Sequence, residues 1–239
     1  MPSWSQREFY ESLDLVKPTF PDRTRVLVEL LRETIQRSGR PSRTLDLGCG
    51  EGLQGSLTKE VVGGALVVGV DLGERALCLA RGAGLTPVKA AIDGQALPFP
   101  DGSFDVVVFS EVIEHLVDTD GVIDEILRVL VPGGTLLIST PNLSAWFNRG
   151  LLAFGVQPLF SEVSRRRVYG RPGTQIAGHL RLFTHRAFRD FLADRDLDGL
   201  EIRGAAYHGL PERTHRLDRF IAARRPSWAA ILVARATRR

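Results

Sequence analysis

The 239-residue chain is poor in cysteine, methionine, tyrosine and lysine, with two, one, three and three of them respectively. Cys49 lies in a glycine-rich turn and Cys78 in a helix-like stretch, which excludes a disulfide framework and a zinc-binding spacing; both are expected as reduced thiols. No apolar run approaches the roughly 20 residues of a membrane-spanning helix. The opening MPSWSQREFYESLD is acidic and aromatic, unlike a secretion signal or transit peptide, so a soluble cytoplasmic protein is expected. Internal repeats of 20 to 50 residues and low-complexity segments are also lacking, so periodicity is the guide to organisation.

What is present is apolar content of 44%, enough for one sizeable core, so residues 1–239 are read as a single domain. Its expected parts are a helical N-terminal region (1–42), a core (43–140), an insertion (141–182) and a closing helix with strands (183–239). Charge is divided unevenly: residues 1–140 carry a net −7 and residues 141–239 a net +10, with 28 of the 31 basic residues being arginine. A basic half attracts anionic partners, although arginine-rich composition alone produces the same count.

Periodicity predicts the architecture. Residues 22–39 carry Val26, Leu27, Leu30, Leu31 and Ile35 at helical spacing, with an aspartate at the start and a glycine at the end. Short apolar runs then alternate with helical patterns. TLDLG, ALVVGVD, LTPVKA, FDVVVFS and GTLLIST read as strands, with ERALCLARG and GVIDEILRVL as helices between them. This is the pattern of an α/β fold, a doubly wound, mostly parallel seven-stranded Rossmann-like sheet with helices on both faces. The rhythm breaks after Thr140. Residues 141–180 show no strand, and order resumes with FTHRAFRDFLADRD as a helix and LEIRGAAYH and WAAILVARA as the last two strands. An insertion of that length is expected to cover an active site or to contact the substrate.

In such sheets ligands bind at the carboxyl ends of the strands. Gly48 and Gly50 follow the first strand there, and the next helix start offers free N–H groups. A dinucleotide fingerprint would place a third glycine at position 53, which is Leu53. Asp46 beside the turn would repel a pyrophosphate and suit a cationic ligand. Asp71, 21 residues after Gly50, can accept both hydroxyls of a ribose.

LDLGCGEG, VVGVDLG, AAIDGQALPFPDGSFDVVVFSEVIEHL and LVPGGTLLISTPN, in that order, resemble the successive motifs of class I S-adenosylmethionine-dependent methyltransferases, over about residues 43–142. The resemblance implies that Asp46, Gly48 and Gly50 face the methionine part of the cofactor and that Asp71 holds its ribose. It also implies that Asp93 accepts the adenine amino group and that Ser110 and Glu111 face the sulfonium. Cys49, Leu72 and Gly94 adjoin these positions and are counted as cofactor contacts. A sulfonium and an ammonium are both received well by carboxylates, in agreement with the acidic lining.

SEVIEHL sets Glu111, Glu114 and His115 at i, i+3 and i+4, one face if a helix begins there. With His179 from GHLRLFT folding back, these four form a candidate site for a divalent metal such as Mg²⁺. The E-x-x-E-H stretch resembles those of the ubiquinone-pathway O-methyltransferases and the small-RNA 2′-O-methyltransferases, and both imply an oxygen acceptor. The same stretch also resembles metal-free methyltransferases, in which the acids only favour a helix start. Without a metal, His179 is the first candidate base and His115 the second; a structural histidine is the alternative for each. His185 is expected to cap a helix or face outward.

Residues 142–160 are apolar and are followed by the basic SEVSRRRVYGRPG. That order suits a lid over an apolar or aromatic acceptor carrying an anionic group, such as a lipid- or sugar-linked intermediate or a quinone precursor at a membrane surface. It equally suits a helix pair closing the sheet, or a homodimer contact. The leading expectation is O-methylation of a small or lipid-linked molecule. The alternatives are RNA 2′-O-methylation, a nicotinamide-dependent oxidoreductase and a non-catalytic cofactor-binding protein.

Overall fold

The computed structural model describes residues 21–239, so the reading of the first 20 residues lies outside the described part. Helix α1 (Pro21–Ser38) opens with proline, whose missing N–H costs nothing in a first turn, and buries Val26, Leu27, Leu30 and Leu31 on one face. Then follow β1 (Arg43–Leu47), α2 (Leu53–Val62), β2 (Leu66–Asp71), α3 (Glu74–Gly82), β3 (Thr86–Lys89) and β4 (Phe104–Ser110). The second half holds α4 (Thr119–Val129), β5 (Leu130–Pro141), α5 (Trp146–Ala153), α6 (His185–Ala193), β6 (Leu197–Ala205), α7 (His215–Arg224) and β7 (Ile231–Arg238). Asp118 caps α4 by accepting the Gly121 N–H at 2.8 Å, and Thr184 caps α6.

The seven strands form one sheet in the order β3-β2-β1-β4-β5-β7-β6, parallel except for β7, which is antiparallel to both neighbours. Alternation along each strand splits the core in two. On one face Leu45, Leu47, Val107 and Phe109 meet Val122, Ile123 and Ile126 of α4 and Phe188 of α6. On the other Val67, Val106 and Val108 meet α1 and Leu77 of α3. The order reverses direction between β1 and β4, which opens a crevice at their carboxyl ends.

Three local details go beyond the sequence reading. Residues 141–182 contain helix α5, tied down by Asn142 and Asn148: the Asn142 amide donates to Ala229 O at 2.7 Å, and Asn148 Oδ1 accepts the Leu159 N–H at 2.8 Å. Helix α7 was not legible, because its arginines obscure a narrow apolar stripe. The last two strands run Leu197–Ala205 and Ile231–Arg238, displaced from the apolar runs by two or three residues.

Candidate active site

The glycine turn after β1 is built from left-handed backbone conformations that strongly favour glycine. Gly48, Gly50 and Gly52 have φ of 75°, 51° and 84°. A Cβ on Gly48 would lie 2.4 Å from Val112 Cγ2, and one on Gly52 would lie 2.8 Å from the Ala80 Cα of α3. The glycine that lets the helices approach is thus Gly52, one residue before Leu53, which is exposed. Val70 O receives the N–H groups of both Gly48 and Cys49.

Asp71 ends β2 and braces this turn: Oδ2 accepts the Gly50 N–H and Oδ1 the Gly73 N–H, each at 2.9 Å. A carboxylate has about four lone-pair sites, so each oxygen keeps one for a ligand hydroxyl. Asp46 is buried, with Oδ2 turned toward the first turn of α2, 2.7 Å from where a Cβ on Gly55 would stand. The Cys49 side chain packs inward, against Gly69 of β2, so a cofactor contact at this position would be made by its backbone. Leu72 is half-buried, and Gly94 is exposed with φ 69°.

Asp93, expected at the adenine amino group, has a structural task. Its oxygens accept the Val117 and Asp118 N–H groups at 2.9 Å and hold the segment leading into α4. Only its remaining lone pairs can serve a ligand.

At the ends of β4 and β5, Ser110 Oγ and Ser139 Oγ are 2.9 Å apart, and Ser139 Oγ donates to Glu111 Oε1 at 2.9 Å. Glu111 has φ 57°, a left-handed conformation costly for a long side chain and typical of functional sites. That conformation prevents an α-helix from running through 111–115, and only a 3₁₀ turn, Ile113–His115, forms. The expected single face is therefore corrected. Glu111 lies with the two serines, and its neighbours in sequence turn elsewhere. Burial raises its pKa, against Arg23 of α1 and the Ser139 hydroxyl, which lower it.

Glu114, His115 and His179 do come together, with ligating atoms all within 4.8 Å of one another; Glu111 is not in this group. Glu114 is fully buried. Thr140 Oγ1 donates to its Oε2 at 3.2 Å, while Oε1 has no hydrogen-bond partner among the described residues. Burial, followed by the charge of Glu111, drives its pKa well above the ordinary carboxylate value. His179 Nδ1 bonds Phe160 O at 2.7 Å, and His115 Nδ1 faces Gly178 O at 3.3 Å. A carbonyl only accepts, so both Nδ1 atoms carry a proton, and Nε2 has a lone pair in the neutral ring. Burial lowers the His179 pKa and keeps the ring neutral.

The insertion delivers His179. Glu162 accepts the Ala177 and Gly178 N–H groups at 2.6 and 2.7 Å, and Glu114 O accepts those of Leu180 and Arg181 at 2.7 and 2.9 Å. Phe160 is the other left-handed non-glycine among the described residues, at φ 72°, and its ring lies 5.0 Å from that of Tyr207 and 6.1 Å from that of Phe147. Ser139 and Thr140 lie in the LVPGGTLLISTPN motif without being singled out by it, and Arg23 and Phe160 stand in no recognisable spacing. His185 begins α6, but Thr184 provides the cap.

The residues present fit a nucleoside carrying a cation. A backbone cradle that a single methyl would fill stands beside a braced aspartate, and acidic groups line the β4 end. Fold and site together define a Rossmann-like domain for an adenosyl cofactor with a polar cluster beside the cofactor end. Residues 45–138 match the family described as a methyltransferase domain. A demethylmenaquinone methyltransferase of Thermus thermophilus is 39% identical over 102 residues, 41% of this chain and 46% of that protein. A ubiquinone biosynthesis O-methyltransferase of Burkholderia vietnamiensis is 29% identical over 177 residues, covering 72% of this chain and 71% of that one. The match thus spans less than half of the Thermus protein. An S-adenosylmethionine-dependent methyltransferase from Mesorhizobium loti shares the fold, with a TM-score of 0.55, 22% identity, and coverage of 88% of this chain and 96% of that one. Residues 45–138 therefore form a methyltransferase domain, on a fold shared with S-adenosylmethionine-dependent methyltransferases.

Proposed function

We propose that the protein transfers the methyl group of S-adenosylmethionine to an oxygen of a small hydroxyl-bearing acceptor. The observation that carries this reading is the Glu114, His115 and His179 cluster, which supplies proton-accepting or metal-ligating atoms within 4.8 Å of one another. An acceptor that loses no proton has little need of such a group. The cofactor supplies an activated methyl carbon, so the protein's work is orientation and deprotonation, with orientation worth on the order of 7–11 kcal/mol. The glycine turn and Asp71 hold the nucleoside, and His179 Nε2, neutral and lone-paired, accepts the hydroxyl proton. The same three residues fit a divalent ion: two imidazoles and a carboxylate are a common ligand set, and Glu114 Oε1 is a buried acceptor awaiting a donor. A bound ion would supply Lewis acidity that lowers the pKa of the acceptor hydroxyl. The name of the Burkholderia relative supports an oxygen acceptor.

Cell extract supplied with methyl-labelled cofactor, with and without chelator, tests the reading. Label in a small-molecule or lipid fraction as an alkali-stable methyl ether supports it. Label confined to nitrogen, to carbon or to RNA overturns it. Loss of transfer in chelator, restored by Mg²⁺, assigns the cluster to a metal, and full transfer in chelator assigns it to a base.

A further inference from the structure

The surface formed by α5, the loop after it and α7 joins two features that rarely share a face. Its large apolar side chains point to solvent: Leu152, Phe154 at 87% exposure, Leu217 and Phe220. Its charge is arginine. On α7, Arg216, Arg219 and Arg224 stand exposed around Phe220 and Leu217, while Asp218 and Ala222 point inward; the Arg224 guanidinium lies 4.8 Å from the Phe220 ring centroid. The two helices are linked directly. Trp146 Nε1 of α5 donates to Asp218 Oδ1 at 2.8 Å, and the Arg149 guanidinium stacks 5.0 Å above Trp228, just after α7. The loop after α5 adds three consecutive arginines, 165–167. Acidic neutralisation is slight: in residues 141–189 the sole acid is Glu162, held inside by its backbone bonds, and along α7 the sole acid is the buried Asp218.

We infer that this face docks on an anionic phospholipid bilayer, with Phe154 and Phe220 entering the headgroup region and the arginines pairing with lipid phosphates. Charge complementarity selects an anionic partner, and the exposed Leu152 and Leu217 beside the phenylalanines, aliphatic groups on which no base stacks, select a lipid surface over RNA. No helix among the described residues is long and apolar enough to cross a membrane, so contact is confined to the surface. Because His179 and Phe160 lie on the same insertion as Phe154, docking would hold that insertion against the lipid. The acceptor class would then be a membrane-dissolved hydroxyl compound, a consequence that rests on the methyl-transfer reading.

The test is co-sedimentation of the full chain with vesicles of phosphatidylcholine alone or mixed with phosphatidylglycerol. Cofactor affinity is measured in parallel by calorimetry to verify the fold. Binding to the mixed vesicles only is expected. A Phe154→Ser, Phe220→Ser pair should weaken it at least tenfold, and each of Arg216→Gln and Arg224→Gln about fivefold, the equivalent of about 1 kcal/mol per arginine near an anionic surface. Unchanged cofactor affinity in these variants shows that the surface, and not the fold, was altered. Absent binding, equal binding to neutral vesicles, or indifference to the phenylalanine pair would overturn the inference. So would RNA binding that falls with the arginine variants alone while vesicles are ignored. None of these outcomes depends on which acceptor is methylated, so failure here leaves the methyl-transfer reading standing.

Discussion

Replacing Asp71 with alanine removes a carboxylate that braces the glycine turn through Gly50 N–H and Gly73 N–H, each at 2.9 Å, and that in the proposed reading keeps its remaining lone pairs for a ribose. A hydrogen bond to a charged group is worth roughly 1.5–3 kcal/mol, so losing two ribose bonds predicts about 3–6 kcal/mol, or roughly 10²- to 10⁴-fold weaker cofactor binding. Loosening of the turn alone would also weaken binding, so affinity of the variant by itself does not isolate the ribose contact. A cycle does: S-adenosylhomocysteine and its 2′- and 3′-deoxy analogues are titrated by calorimetry into wild type and Asp71→Ala. In wild type each deoxy analogue should bind about 10- to 100-fold more weakly than the parent, one charged hydrogen bond's worth. In the variant, parent and analogues should bind alike. If the deoxy penalty is the same in both proteins, Asp71 does not hold the ribose and only braces the loop.

Gly48→Ala must take φ 75° with its methyl 2.4 Å from Val112, and should cost about 2–4 kcal/mol from left-handed strain plus overpacking, read by urea unfolding. Gly133→Ala, also at positive φ but in open space, should cost only the strain. In Glu114→Gln the buried charge is gone. The folded-state pKa of Glu114 is raised, so the native state holds a proton that the unfolded chain has released, and wild-type stability falls as pH rises through the interval above 4.5. The variant should match wild type near pH 4 and exceed it by about 1 kcal/mol or more at pH 8; the same difference at both pH values in thermal unfolding would contradict the raised pKa. The pKa of His179 is lowered, so methyl transfer that uses it as base should decline in acid with a midpoint below 6.5. His179→Gln should remove that decline along with about 10²- to 10⁴-fold of the rate; an acid limb that survives in the variant belongs to another group.

The sheet was legible because its signals are local. FDVVVFS alternates side chains between two buried faces, and both sets are apolar, so the run states a central parallel strand without reference to the rest of the chain. Gly48 and Gly50 announce a turn through the absence of Cβ, and Asp71 follows at the spacing of one β-α-β unit. Cys49 and Asp93 show the limit of that legibility. Adjacency to the glycines placed Cys49, and the motif resemblance placed Asp93, beside the cofactor; only the fold shows that the turn after β1 sends the Cys49 side chain into the core and that each Asp93 oxygen already accepts a backbone N–H.

By itself the sequence determined the succession of strands, the glycine turn and the acidic residues at the strand ends, since each depends on neighbours a few residues away. Tertiary structure alone decided which chemistry-bearing groups meet. The E-x-x-E-H spacing promised one helical face, but the left-handed backbone at Glu111 divided it, joining Glu111 to Ser139 and leaving Glu114 and His115 to meet His179. That meeting spans 64 residues between the histidines and rests on Glu114 O, Glu162 and Phe160 O, hydrogen bonds that exist only once the insertion has packed over the sheet.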